Sequence, residues 1–369
     1  MIIEKTHSWL EKEEVNTSRQ YNLDLLKALA IVCMFICHCV IMLGAHHDGY
    51  ENDFLYFFGD VVLGDYIAVA HAFMFAMGVG FVYTKKNAPR DFIRRGLYFF
   101  ILGYVLNFFR YGVYALIDGL ISGVFDERTL EALFCPDIFQ FAGLAMIITG
   151  LFKKMRLNEL HVFIISVIMS AAGSFLVLID TGNYFGNVLL GHIFSTTDDT
   201  SCFALLNWYI FVGSGMLFGA ILRRVRNLDA FYKKLLLISG IGSVIYLVPT
   251  FVFGMLFLTK QRFYYSVSTL EAAGLLCTDL FLLSIFHFLI RKFGESKFRI
   301  PVEMSRNLTL MYIIQWCAIG FTDSVFGYLL EFSFPYYFIY PFGIALIAAA
   351  FFLARLWKRR KNKKSDEST

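Results

Sequence analysis

The stretch Asn22-Leu23-Asp24-Leu25-Leu26-Lys27-Ala28-Leu29-Ala30-Ile31-Val32-Cys33-Met34-Phe35-Ile36-Cys37-His38-Cys39-Val40-Ile41-Met42-Leu43-Gly44 decides the fold. After Lys27 no ionisable side chain besides thiols follows until His38, and no formally charged residue until Asp48. A run of this length predicts a membrane-spanning helix. At 100° per residue, the offset from Lys27 to His38 returns to nearly the same face, about 16 Å along the axis. Ionisable groups inside a bilayer are costly and usually face a cavity or a partner. The plainer reading stands beside that one: Lys27 snorkels to the headgroups, and His38 is a neutral imidazole bonded between helices.

Composition extends this reading to the whole chain. Of 369 residues, 58% are hydrophobic and 18% aromatic, and the mean hydropathy of +0.61 exceeds that of soluble domains, so most of the chain belongs in lipid. A net charge of +4 gives no case for nucleic acid. The cysteines fall mostly inside apolar runs, where a thiol acts as a small hydrophobe. Cys37-His38-Cys39 has the look of a metal site, but on a helix the flanking thiols point away from the imidazole's face, so no metal is expected. The polar first twenty residues lack the apolar core of a cleavable signal peptide, which leaves the first span to direct insertion.

Ten apolar runs follow one another, at about 22–44, 61–83, 96–117, 132–152, 160–179, 201–222, 235–258, 267–290, 307–330 and 335–357. Their connectors alternate between basic (85–95, 153–156, 223–234, 291–299, 358–364) and acidic or neutral, with only Lys260 and Arg262 out of step. The expected fold class is therefore all-α: a polytopic membrane protein of about ten helices in one bundle, both termini cytoplasmic, in the plasma membrane. Residues 1–20 form a cytoplasmic arm, 21–357 the membrane domain and 358–369 a basic tail. Polar residues recur inside the spans. They are His71 with Asp65 above it in span two, Asn107 and Arg110 in the outer half of span three, Gln140 in span four, Glu271 and Asp279 in span eight, and Gln315 in span nine. A polar cavity open to the outside explains such a set; the alternative is a structural ion pair in which Glu271 or Asp279 neutralises Arg110.

Three motifs carry a family resemblance. Arg19 … Leu23-Asp24-Leu25-Leu26-Lys27 … His38 resembles the opening span of the acyltransferase-3 family, with Lys27 where that family has Arg; the charge is kept and the bidentate fork lost. Phe73-Met74-Phe75-Ala76-Met77-Gly78 with Arg94-Arg95-Gly96-Leu97, and then Asp137-Ile138-Phe139-Gln140-Phe141-Ala142-Gly143-Leu144, are similar to the heparan-α-glucosaminide N-acetyltransferase branch, Met77 replacing its usual Ser. The wording covers about the first 150 residues.

The resemblance implies an acyl-CoA-dependent membrane acyltransferase. It would move an acyl group, most simply acetyl, to a hydroxyl or amine of an envelope carbohydrate or similar acceptor. Acyl-CoA is then a co-substrate, with phosphates held by Lys85, Lys86, Arg94, Arg95 and Lys27. His38 is the implied general base, with His71 and Asp24 as the other catalytic candidates. Asp65, Asn107, Arg110, Gln140 and Glu271 would face the acceptor. In the heparan-type branch the catalytic histidine lies in the loop after span one, which makes His46 and His47 the rivals of His38. Two other classes remain: a transporter or flippase of a polar envelope precursor, and a sensor without chemistry. The chain shows no repeat and has six prolines, which speaks against the first.

Overall fold

A computed structural model describes residues 10–44, 54–67, 70–124, 133–197, 201–253, 265–330, 332 and 334–366. Its centre is α1 (Tyr21–Gly44), the quoted stretch. Around it come α2 (Phe54–Phe57) with a π-helical run Phe58–Ile67, α3 (Ala70–Tyr83), and α4 (Pro89–Asn107), which continues through a π-helical turn Phe108–Gly112 into α5 (Val113–Ser122). Next are α6 (Ile138–Lys154), α7 (Glu159–Phe175), the short α8 (Tyr184–Gly191), α9 (Leu205–Arg224), α10 (Leu228–Phe253) and α11 (Thr269–Phe293). The chain ends with α12 (Arg299–Arg306), α13 (Leu308–Thr322) with a π-helical extension Asp323–Leu329, and α14 (Tyr336–Asp366). Among the described residues there is no strand, only two isolated bridges. The protein is an all-α, polytopic membrane protein.

Among the described residues, seven helices are long and apolar enough to cross a membrane: α1, α4 with its π turn, α9, α10, α11, α13 and α14. The predicted spans two, four and five correspond to shorter helices, α3, α6 and α7. Span two differs from the expected single α-helix. Its first half is the π-helical run, where Gly64 packs so closely on α1 that a Cβ there would stand 2.6 Å from the Cys37 Sγ. Burial sorts the helices: 67% of the apolar stretch of α1 and 72% of that of α9 are enclosed by protein, against 22% for α10 and 28% for α14. The first pair forms the interior; the second faces outward.

Between helices in lipid the driving force is close packing rather than removal of apolar surface from water. Phe35 of α1 packs with Met311, Trp316 and Ile339 of α13 and α14. Trp208, Tyr209 and Phe211 of α9 pack with Met74 of α3 and Ala145 of α6. Leu26, Phe75, Phe218, Tyr232 and Leu283 join α1, α3, α9, α10 and α11 at a third contact.

The basic helix ends gather at one end of the bundle. Arg223 donates to the Val82 carbonyl (3.1 Å) and Tyr83 to the Asn16 carbonyl (3.1 Å). Arg355 pairs with Glu303 at 3.1 Å, and Ser305 donates to Asp24 at 2.6 Å. The described part of the N-terminal arm is fastened there too, through Glu11 and Val15 N–H bonds to the carbonyls of Arg224 and Arg223.

The tightest crossing is α3 on α9. A Cβ on Gly78 would collide with the Val212 carbonyl, and one on Gly215 with the Phe75 carbonyl, while Gly80 faces open space. Gly78→Leu should therefore separate the two helices and cost about 1–3 kcal/mol as overpacking, read as a lower unfolding midpoint in detergent. Gly80→Leu, two residues away, should leave the midpoint within error. Equal tolerance at both positions would contradict this crossing.

Candidate functional site

The site grows from the C-terminal half of α1, at the end of the bundle opposite the basic helix ends. His38 is the half-buried position in the otherwise buried run Cys33–Val40. Gln315 of α13 reaches it: the amide nitrogen lies 3.0 Å from His38 Nδ1 and 3.2 Å from the Met34 carbonyl. A carbonyl only accepts, so the atom facing Met34 is the NH2 group, and the same group donates to Nδ1. With Nδ1 accepting, the proton of the neutral ring sits on Nε2. In this arrangement His38 presents an N–H donor and not the lone pair of a base.

The imidazole lies against the Trp316 ring, centroids 4.2 Å apart at 33°. Arg110 covers the same indole, with its Cζ 3.3 Å from the ring centroid, and also lies 4.5 Å from the Tyr111 ring. Guanidinium over an indole face is a favourable cation–π arrangement, stronger away from water. Arg110 stands on the π-helical turn of α4, a local widening often found at functional sites. Its charge is met by Asp137 at 2.7 Å, and Tyr312 donates to the same carboxylate oxygen at 3.2 Å. Asp137 is itself fixed as the N-cap of α6. It accepts from the Ile138 N–H at 2.6 Å, while its own N–H donates to Gln140 Oε1 at 3.1 Å, closing a capping box.

The expected site residues separate into groups. His38, Arg110, Asn107 and Gln140 come together at this end with Gln315. Asn107 spends its amide on the Leu133 and Cys135 carbonyls (3.1 and 2.9 Å), bracing the connector that carries Asp137. His71 is fully buried elsewhere, its Nδ1 3.0 Å from both carboxylate oxygens of Asp279. Neither Asp279 nor Glu271 neutralises Arg110, which has Asp137 instead. Glu271 closes the capping box at the start of α11, accepting from the Ser268 N–H at 3.4 Å. Asp24 lies at the basic end, about 21 Å along α1 from His38. It is paired with Arg19 (2.6 Å) and Lys27 (3.1 Å). Lys85, Lys86 and Arg94 are exposed, whereas Arg95 braces its own loop by donating to the Lys86 and Asp91 carbonyls (2.7 and 3.2 Å). The Asp65 side chain, and His46 and His47 altogether, lie outside the described residues.

Three participants escaped the sequence reading as site residues: Asp137, Tyr312 and Trp316. The Asp-x-x-Gln spacing of 137–140 is a capping-box signal, and Tyr312 and Trp316 share a helix face by their i, i+4 spacing. What the sequence lacks is any sign that these two patterns meet.

The cluster also leaves polar atoms without partners among the described residues. Arg110 Nε, Gln140 Nε2 and Gln315 Oε1 are buried and unbonded. Buried polar groups are nearly always satisfied, so three in one cluster mark hydrogen-bonding capacity that the fold leaves unused. At the opposite, basic end, a polar cavity of about 710 Å³ opens at the foot of α1, bounded by Arg19, Asn22, Asp229, His287 and Arg291.

Removing one member of a buried pair leaves the other uncompensated and costs about 3–5 kcal/mol, against roughly 0–1 for an exposed pair. Asp137→Ala, which strips both the ion pair and the α6 cap, should lower stability on the first scale. Glu303→Ala, which releases only the exposed Arg355, should stay on the second. Thermal unfolding of the purified variants checks the contrast, and equal effects would show that Arg110 does not depend on Asp137.

No curated protein and no solved structure is significantly similar to the chain. The family described as heparan-alpha-glucosaminide N-acetyltransferase, catalytic, matches residues 19–248, a segment that contains His38, His71, Arg110 and Asp137 and more than half of the chain. The protein belongs to this family of membrane acetyltransferases.

Proposed function

We propose that the protein transfers an acyl group, most simply acetyl, from cytoplasmic acyl-CoA to a hydroxyl or amine of an envelope carbohydrate or a similar acceptor. The observation that carries this reading is the convergence of unpartnered buried donors and acceptors on His38 and Arg110, in a chain of an acetyltransferase family. In this reading both termini and the basic helix ends face the cytoplasm, by the positive-inside rule, and the membrane is the plasma membrane. The donor enters at the basic end. The exposed Lys85, Lys86 and Arg94 meet its phosphates, and the polar cavity at the foot of α1 has room for its nucleotide. The pantetheine arm then runs along α1, whose length from Lys27 to His38 suits an extended chain held at one end and reacting at the other.

At the outer end the acceptor's oxygen or nitrogen attacks the thioester carbonyl. The carbonyl oxygen becomes an oxyanion, and the His38 Nε2–H donates to it. Breakdown expels the CoA thiolate and leaves the acyl group on the acceptor. The role of His38 thus shifts from the expected base to a donor, because Gln315 occupies Nδ1. The proton of the acceptor goes to a base in the loop after α1, where His46 and His47 lie. Arg110, spread over Trp316, forms the platform on which the acceptor rests.

Loss of one oxyanion donor costs about 10²–10³-fold in kcat. His38→Ala should fall on that scale, with monodisperse elution retained. His38→Gln keeps an N–H near the Nε2 position but cannot act as a base, and should stay within about tenfold of the parent. A collapse of both variants alike would return His38 to the role of base. In the same assay with labelled acetyl-CoA, Lys86→Gln with Arg94→Gln should raise KM for the donor and leave kcat nearly unchanged. An unaltered KM would reduce that loop to a topology signal.

Orientation has its own test. A cysteine placed at Asn87 should resist membrane-impermeant maleimide in intact cells and react after permeabilisation. Labelling in intact cells would invert the topology and the donor route with it.

A further inference from the structure

Cys135 and Cys202 are 67 residues apart in sequence, yet their Sγ atoms lie 3.8 Å from each other. They stand on different elements, Cys135 in the connector before α6 and Cys202 in the turn leading into α9, and both are half-buried. The other five cysteines sit inside the helices α1, α11 and α13. Disulfide formation needs the sulfurs at about 2.05 Å, so side-chain rotation of under about 2 Å in total closes the gap.

Both sides of the pair are anchored. Asn107 holds the Cys135 carbonyl at 2.9 Å. On the other side the Ser201 hydroxyl donates to the Gly191 carbonyl at 3.3 Å, and the Leu205 N–H to the His192 carbonyl at 2.9 Å. The approach of the two thiols is therefore set by backbone that is already fastened. Their end of the bundle is opposite the basic helix ends, which under the orientation proposed above is the extracytoplasmic side, where disulfides form and persist.

We infer that Cys135 and Cys202 are joined in the mature protein by a structural disulfide that ties the Asp137 rim of the site to the start of α9. The oxidant is a disulfide-bearing thiol oxidant of the outer compartment. One cysteine thiolate attacks it and forms a mixed disulfide, and the second thiolate displaces the carrier. In balance, two protein S–H bonds and the oxidant's S–S bond are replaced by one protein S–S bond and two thiols on the oxidant. Two electrons pass from the cysteines to the carrier.

A structural bond fits better than a switch. The hydrogen bond with Cys135, and burial after it, raise the Cys202 thiol well above the usual thiol range. Exchange-active cysteines have depressed values instead. Oxidation then belongs to folding, before the two segments close on each other. Once made, the bond holds Cys135 two residues from Asp137, the carboxylate that positions Arg110 and Tyr312.

The test is made on the parent protein, isolated from its native membranes without reductant and with N-ethylmaleimide present from lysis. Proteolysis and mass spectrometry should find the peptides of Cys135 and Cys202 linked as the major species, and separated by phosphine reductant. Cys135→Ser should make Cys202 reactive toward maleimide, and Cys202→Ser should do the same for Cys135. Reduction of the folded parent should lower its unfolding midpoint on the order of 5 °C. Maleimide on both residues as the major species of the parent protein would overturn the inference. Because orientation is read separately by labelling at Asn87, and acyl transfer by turnover, a negative result here leaves those readings distinguishable.

Discussion

Arg110 is a permanent cation enclosed by helices, and the candidate site depends on how that charge is held. An uncompensated charge in such surroundings costs several kcal/mol even after relaxation. Asp137 neutralises it and Trp316 offers the indole face, so two helices that do not adjoin in sequence are drawn to α4. Tyr312 fastens α13 to the same carboxylate, and Trp316 passes the arrangement on to His38. One buried charge thereby sets the relative register of α1, α4, α6 and α13. The π-helical turn at Phe108–Gly112 belongs to the same account, since it is the stretch of α4 that carries Arg110.

The other charges within the bundle obey the same rule. Asp279 faces the His71 imidazole, and Asp24 is shared among Arg19, Lys27 and the Ser305 hydroxyl. This changes the weight of Lys27. Its ammonium is the counter-ion of a buried carboxylate, so any phosphate it met would compete with Asp24. Among the described residues the exposed Lys85, Lys86 and Arg94 form no such ion pair, so under the proposed reaction that loop is the freer partner for a phosphate. His71 is likewise explained in part by Asp279: a buried carboxylate orients the ring and leaves only Nε2, which has no protein partner.

Apolar runs made the helical architecture legible, because their length is a local consequence of a bilayer thickness. The ends of α1, α9 and α11 fall within a few residues of the expected runs, whereas α14 runs on into the basic tail, nine residues beyond its run. Span two was less legible. Gly64 and the π-helical run preceding α3 follow from contact with α1, which no window of sequence contains. His38 and Arg110 stood out because a charge or an imidazole in an apolar run is rare. Asp137, Tyr312 and Trp316 did not, since an acidic residue at a helix start and aromatics on a helix face are common everywhere. The proton position on His38 was beyond sequence altogether, as it rests on Gln315 meeting Met34 and His38 together.

The strongest feature in favour of a transporter is the π-helical first half of that second span, since irregular helices commonly line translocation paths. Alternating access, however, needs one group of helices to rock or slide against another. This span is pinned at both halves: Gly64 lies against Cys37 of α1, and Gly78 lies so close to the Val212 carbonyl of α9 that no side chain fits between. Interfaces that admit no Cβ have no play for sliding, because close-packed surfaces shift between discrete arrangements or not at all. Among the described residues, the unpartnered Arg110 Nε, Gln140 Nε2 and Gln315 Oε1 gather about His38, while others, such as His71 Nε2, Ser214 Oγ and Arg223 Nε, lie elsewhere in the bundle. A fixed scaffold with such a polar cluster at one end is suited to holding two reactants against each other.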